Sequence, residues 1–278
     1  MRPLTPLLAF GLALGLAGPA PAQTLKVGYG ITLSGIPLGT ADLATSFEGQ
    51  RYRMELAAKL TGLAGLLTSG RGAATASGAF AGAQPAPSSF ALTSRASGDQ
   101  RTVRMGLASG QVAALEIMPP IDAKPDRVPL AEGHKRGVID PVSALLMPAR
   151  GDVRDTGNCN RTIPVFDGAA RFDIVLTYAE TRQVEKPGYR GPVLVCNARY
   201  VPIAGHRSLR PATKFMQDNQ DMQVWLAPVE SARVLVPLRI AVRTMAGMSV
   251  VEASRWALDD GKAVPGAAER AARASVAQ

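Results

Sequence analysis

The chain offers only two imidazoles, His134 and His206, and two thiols, Cys159 and Cys196, in 278 residues. These four side chains, with the carboxylates and hydroxyls around them, bound the acid–base and nucleophilic chemistry available near neutral pH. A serine nucleophile would be marked by a G-x-S-x-G turn, or by S-x-x-K with its partner motifs, and neither is present. His134 lies in a Pro-rich stretch, where a surface ring is the simpler reading. His206 follows Pro202-Ile203-Ala204-Gly205 and is the better candidate for a general base, although a hydrogen-bonded structural histidine explains it more simply.

The carboxylates have local explanations. Asp167 belongs to an Asp-Gly turn, Asp140 precedes Pro141 as a helix cap, and Asp259-Asp260 open a polar end. Asp218 and Asp221, with Gln217, Asn219 and Gln220, match no calcium loop and read as a polar loop. No Gly-rich segment ends in the Lys-Ser/Thr of a phosphate loop. Aromatics, at 5% of the residues, are too few and too scattered to stack nucleic-acid bases. The formal charge of +9 is spread over single positions such as Arg51, Arg71, Arg104 and Arg239, so it describes a solvated surface more simply than a polyanion site. No catalytic residue, metal, cofactor or nucleic-acid partner is expected.

The N-terminus places these residues in a compartment. Arg2 is the only charge before Lys26, an apolar run covers Leu7 to Ala17, and Ala20-Pro21-Ala22 offers small residues where a signal peptidase cuts. That order describes a secretory signal over residues 1–22, and export to a Gram-negative periplasm. The run is short of the ~20 residues of a membrane span, and no later stretch reaches that length without a charge or a proline. In an oxidising compartment Cys159 and Cys196 read first as a bridge. A thiol nucleophile or a metal site are the alternatives, the latter poor with no C-x-x-C and two histidines.

Most of the remaining chain alternates. Leu25, Val27, Tyr29, Ile31 and Leu33 predict a half-buried strand, and turns at 34–39 and 48–50 lead into strands through Phe47 and Leu56. Weaker strand signals cover 70–80, 88–94, 101–107 and 111–117. A Pro-rich exposed loop over 119–137 separates them from a second series. That series comprises a hairpin around Asp167-Gly168, then 193–200, 224–226, 234–242 and 248–258. Val234, Val236, Leu238, Ile240 and Val242 predict a single apolar face. Asp140 to Met147 reads as the clearest helix, ended by Pro148, and 60–69 as a short helix or packed loop. About ten strands with one or two short helices predict a mainly β fold, a large curled antiparallel sheet or half-open β-barrel. It would form one domain over 23–258, followed by a frayed tail over 259–278.

A curled sheet has a concave face that is either filled or holds something. The apolar stripes serve as a core beneath a helix on the first reading. On the second, the 140–147 and 60–69 segments form a lid over a cavity lined by Leu63, Leu66, Leu67, Val142, Leu145, Leu146 and Met147.

The order of features resembles the DUF3108 family. The resemblance is carried by Tyr29 with Gly35-Ile36-Pro37-Leu38-Gly39, then Asp140-Pro141-Val142-Ser143-Ala144-Leu145, Val165-Phe166-Asp167-Gly168 and Arg171-Phe172-Asp173. Cys196-Asn197-Ala198-Arg199-Tyr200 and Pro202-Ile203-Ala204-Gly205-His206 complete it. The resemblance implies an exported envelope protein with one curved sheet, similar in shape to half-open barrels that carry lipoproteins in the periplasm. A disulfide is expected in some of those relatives. No catalytic residue carries over.

The expected function is therefore a non-enzymatic envelope protein that binds a lipid, a hydrophobic small molecule or an envelope protein. The alternatives are a purely structural scaffold, or a hydrolase of envelope polymer using His206 and a nearby carboxylate.

Overall fold

Apolar side chains at alternate positions of β1 (Gln23–Leu33) turn Leu25, Val27 and Tyr29 to one side, where they are buried. The same pattern builds β2 (Ile36–Glu48) and β3 (Arg51–Leu60). The structure is a computed structural model and describes residues 22–61, 70–96 and 98–259. The segment 1–21, most of 60–69 and the tail from 260 onward, including Leu63, Leu66 and Leu67, lie outside the described residues.

The meander continues through β4 (Gly70–Ala81), β5 (Gln84–Ala96), β6 (Asp99–Ala108) and β7 (Gln111–Met118), each antiparallel to the one before. After the two-residue β8 (Met147–Pro148) come β9 (Arg161–Phe166), β10 (Arg171–Lys186) and β11 (Tyr189–Ala204). Then follow α1 (Pro211–Asp218), β12 (Met222–Val229), β13 (Val234–Thr244) and β14 (Gly247–Asp259). The result is one sheet of fourteen strands in the order β7-β6-β5-β4-β3-β2-β1-β14-β13-β12-β11-β10-β9, with β8 paired to β13. The segments marked in the sequence fall on every strand except β8, which is too short to leave an apolar signal, so the expected count of about ten is low.

The sheet wraps around its main core. Met54 on β3 and Leu107 on β6 share that core with Val193 on β11, Leu238 on β13 and Trp256 on β14. The edge strands β7 and β9 do not pair with each other. The connecting chain joins them: Gly137 N–H and Val138 N–H donate to Gly110 O in the β6–β7 turn, while Ile139 N–H donates to Pro164 O and Phe166 N–H to Ile139 O. Gly168, in the β9–β10 turn, helps close this seam. Its φ is +98°, and a Cβ there would come within 2.7 Å of Val103 Cγ1 on β6.

Two β-bulges give the second half of the sheet two apolar faces. Ala179 interrupts the β10–β11 register, so Leu176 and Val184, both even-numbered, face opposite sides. Leu238 interrupts the β12–β13 register in the same way. Val234, Val236 and Leu238 therefore enter the main core, whereas Ile240 and Val242 pack with the second cluster on the opposite face. The single face predicted for these five residues is thus corrected to two.

Two helix expectations also change. Over Asp140–Met147 the chain forms only one 3₁₀ turn, Ser143–Leu145. Asp140 caps as expected, its Oδ1 accepting Val142 N–H at 2.9 Å and Ser143 N–H at 2.8 Å. Pairing of Met147 with Leu235 and Pro148 with Val234 pulls the chain extended before a helix can propagate. The helix that does form, α1, begins with Pro211 in the first turn and takes in Gln217 and Asp218, so the polar loop expected there is corrected to residues 219–221.

Candidate functional site

The second apolar face carries the candidate site. On β11, Val193 and Val195 face the main core, while Leu194, Cys196 and Ala198 face the other way. An apolar run on consecutive positions is what a strand covered on both faces requires. The Cys159–Cys196 disulfide lies in this second cluster, with Cα atoms 5.5 Å apart, and fastens the 3₁₀ turn Thr156–Cys159 to β11. Both sulfurs belong to fully buried residues.

Beside the disulfide the cluster opens into a groove of about 280 Å³. Its walls come from β9, β10, β12 and β13, among them Ile163, Phe172, Ile174, Ile240 and Val242, and the turn at 141–147 covers one side. Among the described residues, Gln223 alone brings a polar side chain to the wall. Two of the predicted lining residues, Leu145 and Met147, are present. Val142 and Leu146 are not; they point under the turn into the main core, at 3% and 1% exposure. The predicted concavity is thus filled, and the open apolar surface lies on the opposite face of β11–β13. The wall residues of β10 and β13 escaped prediction because each bulge shifts its strand's parity. The clue in the sequence was the unbroken run Val193-Leu194-Val195-Cys196, which needs two apolar faces.

Beneath the turn lies a buried polar set. Tyr52 O–H donates to Ser143 Oγ at 2.8 Å, and Asp140 Oδ2 is buried with no hydrogen-bond partner among the described residues. Burial pushes the Asp140 carboxyl above the usual carboxylate range, against the hydrogen bonds from Ser143 and the backbone. These groups shape the turn and lie inside it, below the groove floor.

The histidines stand apart from these groups. His134 Nδ1 accepts Ala131 N–H at 3.1 Å on the surface. His206 Nδ1 is buried and, among the described residues, has no hydrogen-bond partner, so no carboxylate orients its ring. Asp221 pairs with Arg243, and Asp167 Oδ1 accepts Ala169 N–H and Ala170 N–H as its turn requires. No group of three or more His, Cys, Asp or Glu side chains among the described residues is arranged to hold a metal ion. A larger hollow of about 440 Å³ over β2–β5 is bounded by the exposed Arg51, Arg53 and Ser88 and the half-buried Ser77.

No curated protein matches the sequence. The crystal structure of a β-barrel-like protein of a domain of unknown function, DUF1849, from Brucella abortus is similar in fold. Its TM-score is 0.51 at 10% identity, over 87% of this chain and 99% of that one. A family described as a protein of unknown function, DUF3108, matches residues 25–254. That match runs from β1 into β14 and takes in the groove, its covering turn and both cysteines: the chain belongs to the DUF3108 family.

Proposed function

We propose that this is a non-enzymatic protein of the bacterial envelope that holds an apolar ligand in the groove on the outer face of β9–β13. One observation carries the reading: an open groove of about 280 Å³ whose wall is apolar except for Gln223. Small-molecule sites run from ~300 Å³ upward and are mainly apolar with a few polar groups, so this groove sits at the small end of that class. A soluble protein gains nothing by leaving such a surface wet, and exposed apolar concavities mark ligand or partner sites. The signal-like N-terminus and the disulfide suit a periplasmic location, where a lipid-like molecule must be shielded from water.

Native mass spectrometry of the protein, made in a bacterial periplasm and purified without detergent, tests the proposal. A reproducible added mass, removed by denaturation and extracted as a lipid, is expected. Ile174→Glu, which places a charge in the half-buried groove wall, should abolish that mass while the circular dichroism stays native. A clean mass, with no uptake of an added lipid by the unmodified protein, would contradict the proposal and leave a scaffold that binds a protein partner.

A further inference from the structure

Ala144, Met147 and Ile163 line both the groove and a narrower recess of about 30 Å³ beside it. The recess is also lined by Arg150, Arg161 and Thr162, and by Gln84 and Pro85 of the β4–β5 hairpin. An apolar trough therefore adjoins a pocket bearing two cations.

Arg161 is unusual among the charges of the molecule. It is only 8% exposed, and all its hydrogen bonds go to neutral oxygens. Nε donates to Asn158 O at 2.7 Å, Nη1 to Pro148 O at 3.1 Å, and Nη2 to Asn158 Oδ1 at 3.1 Å. Arg150, on the exposed rim, donates Nη1–H to Asn160 O at 3.2 Å. Among the described residues neither arginine belongs to an ion pair, whereas twelve ion pairs form elsewhere in the molecule. The nearest acids along the chain, Asp152 and Asp155, are turned to the backbone N–H groups of Arg154 and Gly157. Burial, and then the charge of Arg150, bring the Arg161 guanidinium down to about 10, the direction expected of an uncompensated cation.

A clamp on the 148–158 loop accounts for the three bonds of Arg161. It does not account for a second cation beside it, or for the absence of a counter-charge at a buried guanidinium, which ordinarily costs several kcal/mol unless paired. A guanidinium has five N–H donors, so Arg161 keeps donors beyond the three it uses. The recess holds on the order of two water-sized groups, since one needs roughly 10–15 Å³. That suits the two oxygens of a carboxylate and is too small for a phosphodiester head.

We propose that the occupant of the groove is a long-chain fatty acid, its chain along Leu145, Ile174, Ile240 and Val242 and its carboxylate in the recess against Arg161 and Arg150. This rests on the groove being a ligand site, and deepens that reading by fixing the charge and size of the head group.

The test compares oleate with oleyl alcohol, which has the same chain and a neutral head, as displacers of the neutral dye N-phenyl-1-naphthylamine from the delipidated protein. Oleate should bind about tenfold more tightly, equivalent to ~1.4 kcal/mol. Arg161→Gln should remove the preference while leaving the alcohol's binding in place. Since that change also deletes loop hydrogen bonds, Arg150→Gln on the exposed rim is the second variant, with the preference expected to fall about threefold. Equal binding of oleate and alcohol would overturn the carboxylate assignment and leave the apolar groove standing. Failure of both to displace the dye would overturn both. A preference undiminished in either folded variant would also contradict the assignment.

Discussion

Single buried polar atoms decide much of the local energetics of this sheet. Thr45 is fully buried on β2, in the middle of the main core, and its Oγ1 has no hydrogen-bond partner among the described residues. A buried hydroxyl without a partner costs ~1–3 kcal/mol. Thr45→Val keeps the shape and removes the cost, so it should stabilise the protein by about 1 kcal/mol in denaturant melts. Asp140 is the second case. Its folded carboxyl is raised above the unfolded value by burial, so the folded state holds its proton more tightly. The stability it contributes is then fully present below the unfolded value, near 3.9, and is lost as pH rises through the window up to the raised folded value. Asp140→Asn keeps the cap acceptor and cannot ionise. Relative to that variant the natural protein should lose stability as pH rises from about 4 toward neutrality. Parallel urea melts at several pH values would show this as a widening gap; a gap that narrows with pH would contradict it.

Among the elements, the β10–β11 hairpin is the pivot. Its lower half walls the groove, while its upper half crosses the main core and its turn lies on β14. There Trp256 N–H donates to Pro187 O at 3.0 Å, and a Cβ on Gly188 would meet Trp256 O. The disulfide ties the Thr156–Cys159 turn to the lower half over a sequence separation of 37. By chain entropy a loop of that length is worth about 4 kcal/mol. The double variant Cys159→Ala with Cys196→Ala should therefore lower the unfolding free energy by ~2–5 kcal/mol, and calorimetry under matched conditions reads that loss directly. The pairing of these cysteines was legible from their being the only two in the sequence, together with the expectation of export. The strands were legible from period two, down to the thin Ala- and Gly-rich β4. What stayed hidden were the bulges at Ala179 and Leu238, because an inserted residue leaves the alternation of residue types intact while reversing the face. The 140–147 helix was misread for a related reason. Asp140 supplies an authentic cap, but strand pairing of Met147 and Pro148, a long-range effect, overrides it.

At the scale of the whole molecule, a single sheet supports two apolar layers with different fates. The layer it encloses is filled by side chains from both halves, from Leu25 to Trp256, and is sealed by Val142 and Leu146. The layer on the other face is closed at one end by the disulfide and left open at the other as the groove. Wrapping one sheet around a filled core gives rigidity, and this fixes the groove walls on strands rather than on loops. If the proposed ligand binds here, its site is already formed, so binding should leave the sheet unchanged and reorder mainly the 141–147 turn. The nearest direct measurement is paramagnetic broadening of methyl resonances on titration with spin-labelled stearate. The account predicts the strongest loss of signal from Leu145, Ile174, Ile240 and Val242, with Leu43 and Met54 in the enclosed core much less affected. Broadening of the enclosed methyls instead, or of none, would contradict the placement of the ligand in the outer groove.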